Sequence, residues 1–339
     1  MKRAWGILVL LVLATAGWLM AQVPAPALAP LTEKEVISLL KSKQSPAVVA
    51  QRGVDFEISP EIEKKLRKAK ADDQFIQVVR DAGPAGRAAR AANPNAPRVT
   101  PEEGQAIWAV ANELDPDRAI QLAQDFEKKF PNSPVLSEAY SSAAVAYARK
   151  DEMAQAVEYG EKSLKSNPQN VKALLLLAPL LPQPQLLRSG DLDKEKKLTD
   201  AESYAKRALP LIDQLPRQPN ETDDQLQKRK AGYAAQMHSA RGMVHLERST
   251  LALQGPDHEE LAKAEEEYQI AVTMTHEPIP EDYYRLGEVR AMLGKLDGAI
   301  EAFTKASELG QGTMIKTYAD QRIAELNKRK SQAPPPAKQ

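Results

Sequence analysis

One recurring set of small residues restricts the fold of this chain more than any other feature. Ala119, Ala156, Ala201, Ala264 and Ala299 each lie within a helix-forming stretch, and seven residues after them stand Phe126, Ser163, Ala208, Ala271 and Ala306. On the other side, once two loop insertions are allowed for, stand Ile107, Ala144, Ala178, Gly242 and Gly287. In the last copy, "DYYRLGEVRAMLGKLDGAIEAFTKASELG", bulky Tyr283, Leu286 and Phe303 alternate with Gly287, Ala299 and Ala306 at spacings that a single helix face does not require. Two helix backbones approach closely only where the side chain at the crossing is small, and large neighbours must fill the space beside it. Recurrence at a fixed interval therefore predicts helical hairpins stacked in tandem, each completing its core against the next.

Composition agrees with an all-α chain. Ala, Leu, Glu, Lys and Gln dominate and aromatics make up 5%, which favours helix over sheet. There is no Cys, so disulfides, thiol catalysis and zinc–thiolate sites are excluded. Lys plus Arg and Asp plus Glu balance at 46 each, which leaves no basic excess for nucleic acid and no acidic tail.

The pattern resembles the tetratricopeptide repeat, a helical hairpin of about 34 residues. In that register the small residues occupy positions 8, 20 and 27, the large ones positions 4, 7 and 24, and Pro131 and Pro168 the helix-stopping position 32. The resemblance implies an α-solenoid of about five hairpins over 100–313, with units at 100–133, 137–170, 171–215, 235–278 and 280–313. Its packing residues are Ala119, Ala144, Ala156, Ala201, Ala208, Gly242, Ala264, Ala271, Gly287, Ala299 and Ala306. The first unit departs from the pattern at Ile107 and Phe126, as an end unit with one neighbour can. The third and fourth carry the insertions "LLPQPQLLRSGDLDKEKKL" and "ALQGPDHEELAKA", read as loops. Pro179 places the end of the third unit's first helix in question. A polar lead-in before residue 235 extends the first helix of the fourth unit. Residues 314–330, with apolar Ile315, Tyr318, Ile323 and Leu326, form the solvating end helix that such arrays need. Residues 331–339 are a disordered tail.

Ahead of the array, residues 1–21 read as an export signal: Lys2 and Arg3, an apolar run, then small Ala21 as a cleavage point. An uncleaved anchor is the alternative, since the run sits at the lower edge of a membrane span. Either way the chain is expected outside the cytoplasm, periplasmic or secreted if cleaved and tethered to the inner membrane if not. Residues 22–30 are a Pro/Ala spacer. Residues 31–83 form a small helical unit, with Thr32 and Glu35 as a capping box, helix starts at Ser45-Pro46, Ser59-Pro60 and Asp72, and Val54, Phe56 and Ile58 in its core. "GVDFEISPEIEKKLRKAKADDQFI" resembles a helical module found near the N-termini of exported bacterial multidomain proteins, which implies no chemistry. Residues 84–99 are a flexible linker.

Catalytic signals are lacking. His238 and His245 are seven apart on one helix, where metal pairs use four, and no carboxylate beside them in sequence completes a site. "HEELAKAEEE" lacks the second His of a zinc-protease helix, and Glu265 and Glu267 read as solvent-facing. No cofactor or metal is expected, and no enzyme activity. What the resemblance implies instead is a protein-binding groove lined by the first helix of each hairpin. Carried over by register, that lining is Trp108, Asn112, Ser141, Val145, Arg149, Leu175, Ser239, Met243, Glu247, Tyr284, Glu288 and Met292. The Lys/Asn cluster with which relatives grip acidic peptide tails is absent, so an extended segment or a partner helix with apolar anchors fits better. "DFEKKFPNSPVLSEAYSSAAVAYARKDEMAQAVEYGEKSLKSNP" also resembles repeats of envelope-assembly scaffolds. The reading is a non-catalytic adaptor for protein partners in the bacterial envelope. The alternative is a structural spacer or self-association module.

Overall fold

A computed structural model of the chain describes residues 30–41, 48–49, 52–71, 75–76, 79, 82–83, 99, 101–187, 192–218, 221–251, 255–275 and 277–332. The expected signal, nearly all of the spacer and linker, the Ser45-Pro46 start and most of the tail lie outside them. The described residues fall into two compact units, 30–142 and 143–332.

The first unit holds α1 (Glu33–Lys41), α2 (Pro60–Lys68), α3 (Pro101–Asn112), α4 (Pro116–Lys129) and the start of α5 (Leu136–Arg149). Thr32 and Glu35 form the expected capping box: the Thr32 N–H donates to Glu35 Oε2 at 2.6 Å, and the Glu35 N–H to Thr32 Oγ1 at 3.4 Å. Ser59 caps α2, accepting from the Ile62 N–H at 3.3 Å, with Pro60 in the first turn. Leu31 and Val54 pair as a short parallel bridge that helical periodicity does not signal. Around it Val36, Leu39, Leu66, Phe75, Ile76 and Val79 make one core, with Phe56 and Ile58 packed at its edge. Asp115 caps α4, which packs on α3.

The second unit holds the rest of α5, then α6 (Met153–Ser166), α7 (Val171–Leu180), α8 (Lys194–Asp213), α9 (Asp223–Ser249), α10 (His258–Met274), α11 (Pro280–Met292), α12 (Leu296–Leu309) and α13 (Met314–Gln332). Asn170, Thr222 and Asp257 cap α7, α9 and α10 with side-chain oxygens. From α6 to α13 each helix packs on the next, and α7 also touches α9 two helices on. This succession is that of stacked tetratricopeptide-type hairpins, and the described residues contain no strand beyond the isolated bridge.

The small residues of the pattern are buried. Ala156, Ala201, Ala208, Ala264, Ala299 and Ala306 are fully buried, Ala271 is 1% exposed, and Ala119, Ala144, Gly242 and Gly287 are buried. A Cβ on Gly287 would stand 2.8 Å from the Phe303 ring, and one on Gly242 would stand 2.9 Å from the Tyr268 ring. Position 8 thus opposes position 24 of the same hairpin. In the second hairpin the roles are exchanged: Gly160 holds position 24, and Leu177 of the next helix would lie 2.8 Å from a Cβ there.

One open point is fixed and two local expectations are revised. Pro179, which left the end of the third unit's first helix in question, lies in the last turn of α7, which runs to Leu180. The insertion of the third unit is no plain loop, because Leu181 and Leu187 pack with Leu198, Ala201 and Val244. The end helix α13 continues to Gln332, past the expected start of the tail at 331; it buries Ile315, Ala319 and Leu326.

Candidate functional site

The candidate face comprises the outward sides of α7, α9 and α11, the first helices of the last three hairpins. What places α9 beside α11 is a buried contact between them: Ser239 Oγ donates to Asp282 Oδ1 at 2.5 Å. Arg285, one turn along α11, stands 3.5 Å from the same carboxylate. Asp282 is 4% exposed, and burial pushes its carboxyl up to about 6 against the opposing pull of Arg285 and Ser239. Glu247 on α9 is also raised by burial, with Lys194 of α8 3.7 Å away as its counter-charge.

Tyr268 of α10 packs on α9. Its ring rests on Gly242, which leaves it fully buried, and its hydroxyl makes no hydrogen bond. Burial raises that hydroxyl's pKa, and Arg285, Asp282 and Glu247 all act on it electrostatically.

The predicted lining residues divide into three groups. Trp108 is 60% exposed, and Asn112 and Arg149 are exposed as well. Ser141, Val145, Leu175, Ser239 and Met243 are buried, at 0–7% exposure. Tyr284, Glu288, Met292 and Glu247 are half-buried and engaged inside the array. Tyr284 meets the Phe303 ring edge-on at 5.2 Å, and burial pushes its hydroxyl up to about 12. Glu288 accepts from Arg322 of α13 at 2.6 Å, and Met292 packs against the cluster around Leu261 and Tyr268. The face is therefore drier and more polar-paired than register alone predicts, because neighbouring first helices and α13 close on it.

The histidines also acquire partners that sequence adjacency did not offer. His238 Nδ1 lies 2.8 Å from Glu267 Oε2, whose other oxygen takes Arg241 at 2.8 Å, and His245 Nδ1 lies 2.8 Å from Glu260. Glu267 is 7% exposed and Glu265 binds Arg290 and Lys295, so neither is solvent-facing as expected. Among the described residues no three His, Asp or Glu side chains converge as metal ligands.

Asp282, Arg285, Tyr268, Glu281 and Lys194 escaped the sequence reading. The acidic pair Glu281-Asp282 opening an apolar helix was the available signal, but it reads first as an ordinary helix start.

No family model and no curated protein matches the chain. Among solved structures it is similar to a thermophilic TPR protein of Thermus thermophilus, at 20% identity, covering 66% of this chain and 99% of that one, with a TM-score of 0.41.

Proposed function

We propose that this chain is a non-catalytic scaffold of the bacterial envelope that holds a protein segment on the first helices of its hairpins. The Ser239–Asp282 contact carries the reading. It links α9 directly to α11, so that residues from separate hairpins can act on one extended ligand. Tandem hairpin arrays offer such surfaces because each unit adds one first helix to a continuous face. Export is supported by the N-terminal segment, with Lys2 and Arg3 before an apolar run and small Ala21 after it. In the other unit, taken by itself, exposed Trp108 is of the residue type favoured at protein interfaces.

The test is affinity capture from a native envelope extract, using the full chain, a Trp108→Ser variant and a Glu247→Gln variant. Met243 and Tyr284, attractive on register alone, are unsuitable because polar residues there would disturb packing. The expected outcome is a discrete protein partner whose recovery falls severalfold with either variant. Recovery of the chain's own copies alone would refute the reading in favour of self-association.

A further inference from the structure

Around α2 the charge of the chain is distributed unevenly. Five of the seven residues from Lys64 to Lys70 are cations, and all five are exposed. Two are matched within the chain: Lys65 Nζ lies 2.7 Å from Glu33 Oε1 of α1, and the Arg67 guanidinium lies 2.7 Å from Glu63, one turn earlier in α2. Among the described residues Lys64, Lys68 and Lys70 have no ion-pair partner.

Folding alone does not account for these charges. A helix favours cations in its last turn, and Lys65, Arg67 and Lys68 stand there. Lys64 precedes that turn, and Lys70 lies beyond the helix. Lys64 and Lys68, four apart on one face, repel each other. Lys70 has a φ of 73°, the left-handed backbone in which glycine is unstrained and lysine is not. Its side chain thus costs the fold stability that a glycine would keep, which directs attention to its charge.

The surroundings of the patch select its partner. Among the described residues of 30–83 no large hydrophobic side chain is exposed. A protein hot spot needs an aromatic or apolar anchor, and single-stranded nucleic acid needs aromatic rings to stack on. The patch offers neither. Long, flexible cations on an open helix surface suit a plane of negative charge that demands no match of shape, and a bilayer of anionic phospholipids is such a plane. We propose that Lys64, Lys65, Arg67, Lys68 and Lys70 form a docking surface for the anionic headgroups of a membrane. The export reading gives this unit access to such a surface, and the proposal is independent of which protein segment the hairpins hold.

Partition of the full chain between buffer and vesicles tests it, with phosphatidylglycerol vesicles set against phosphatidylcholine vesicles. The apolar run near the N-terminus acts on both, so the ratio of the two partition coefficients reports the charged surface. Each unpaired lysine at a charged bilayer is worth roughly fivefold, so the ratio should reach about a hundredfold at low salt. It should collapse at high salt, where charges are screened. Lys64→Gln/Lys68→Gln should lower the ratio roughly thirtyfold. Lys70→Gly should lower it about fivefold while raising the unfolding midpoint, so that a folding defect is not the cause. Lys128→Gln, on α4 and 3.8 Å from Asp125, should leave it unchanged. A ratio near one, a ratio indifferent to the Lys64, Lys68 and Lys70 variants, or an equal loss with Lys128→Gln overturns the docking surface. So does the loss of an acidic protein from capture with these variants while vesicle partition stays constant, which assigns the patch to a protein instead.

Discussion

Gly287→Ala probes the tight helix crossing on which the array depends. The new methyl would stand 2.8 Å from two carbons of the Phe303 ring. Comfortable carbon contacts begin near 3.5 Å, so the ring must retreat by roughly 0.7 Å. It has little room to do so, being 0% exposed, with Tyr284 edge-on at 5.2 Å and the Arg322 guanidinium 5.8 Å from its centre. Overpacking of this kind costs about 1–3 kcal/mol, while the intrinsic preference of a helix for Ala over Gly returns about 1. Gly232→Ala isolates the second effect, because nothing lies within 4 Å of a Cβ there and Gly232 is also inside a helix. The expected difference between the two variants is therefore about 1–3 kcal/mol, with Gly232→Ala the more stable. Urea unfolding followed by circular dichroism measures it through the two midpoints. Hydrogen exchange at α11 and α12 localises the loss should the array open in parts. Phe303→Leu in the Gly287→Ala background should recover part of the cost, since the two residues share one space. Equal stabilisation by both alanines would show that the crossing is not tight, and the packing argument would fail.

Three further outcomes follow from single groups. Asp282, displaced upward to about 6 from 3.8, binds more protons folded than unfolded, so its contribution is full below about pH 3.8 and is lost as pH rises through 6; Asp282→Asn should remove up to about 3 kcal/mol of that slope, read from urea midpoints across this range. Glu202 behaves oppositely: burial disfavours its charge, but Lys206 and Arg248 outweigh this and hold it at about 2. Its contribution is present above about pH 4.5 and lost as pH falls through 2, and Glu202→Gln should cost about 1 kcal/mol at neutral pH after solvent screening. Trp108→Ser, at a 60% exposed position, should leave the unfolding midpoint within about 0.5 kcal/mol of the parent while partner recovery drops.

What was legible in the sequence is what repeats within a hairpin. Positions 8, 20 and 27 could be placed because a crossing inside one hairpin recurs at the same separation each time, as Gly242 against Tyr268 and Gly287 against Phe303 show. Where the tight contact passes to the neighbouring hairpin the register misleads: Gly160 takes the place of the large residue, and Leu177 of the following helix supplies the bulk. The groove residues were assigned by register alone, and register does not say what closes over a residue. Ser239 meets Asp282, and Glu288 meets Arg322 of the end helix.

Polar partners are harder still, because they leave no period. His238 finds Glu267 29 residues away and Ser239 finds Asp282 43 residues away. Either carboxylate, seen in its own helix, has the pattern of a solvated charge. The distinction arises from burial, which turns an inexpensive surface carboxylate into one that must be matched. Glu267 is matched twice within the chain, by His238 and Arg241; Glu281 is not matched among the described residues. Small residues at the crossings set how closely the helices of the array approach, and buried polar pairs such as Glu267 with His238 and Arg241 then tie one helix to the next. A chain with ordinary packing positions can therefore still be held together by polar pairs that its repeat pattern does not reveal.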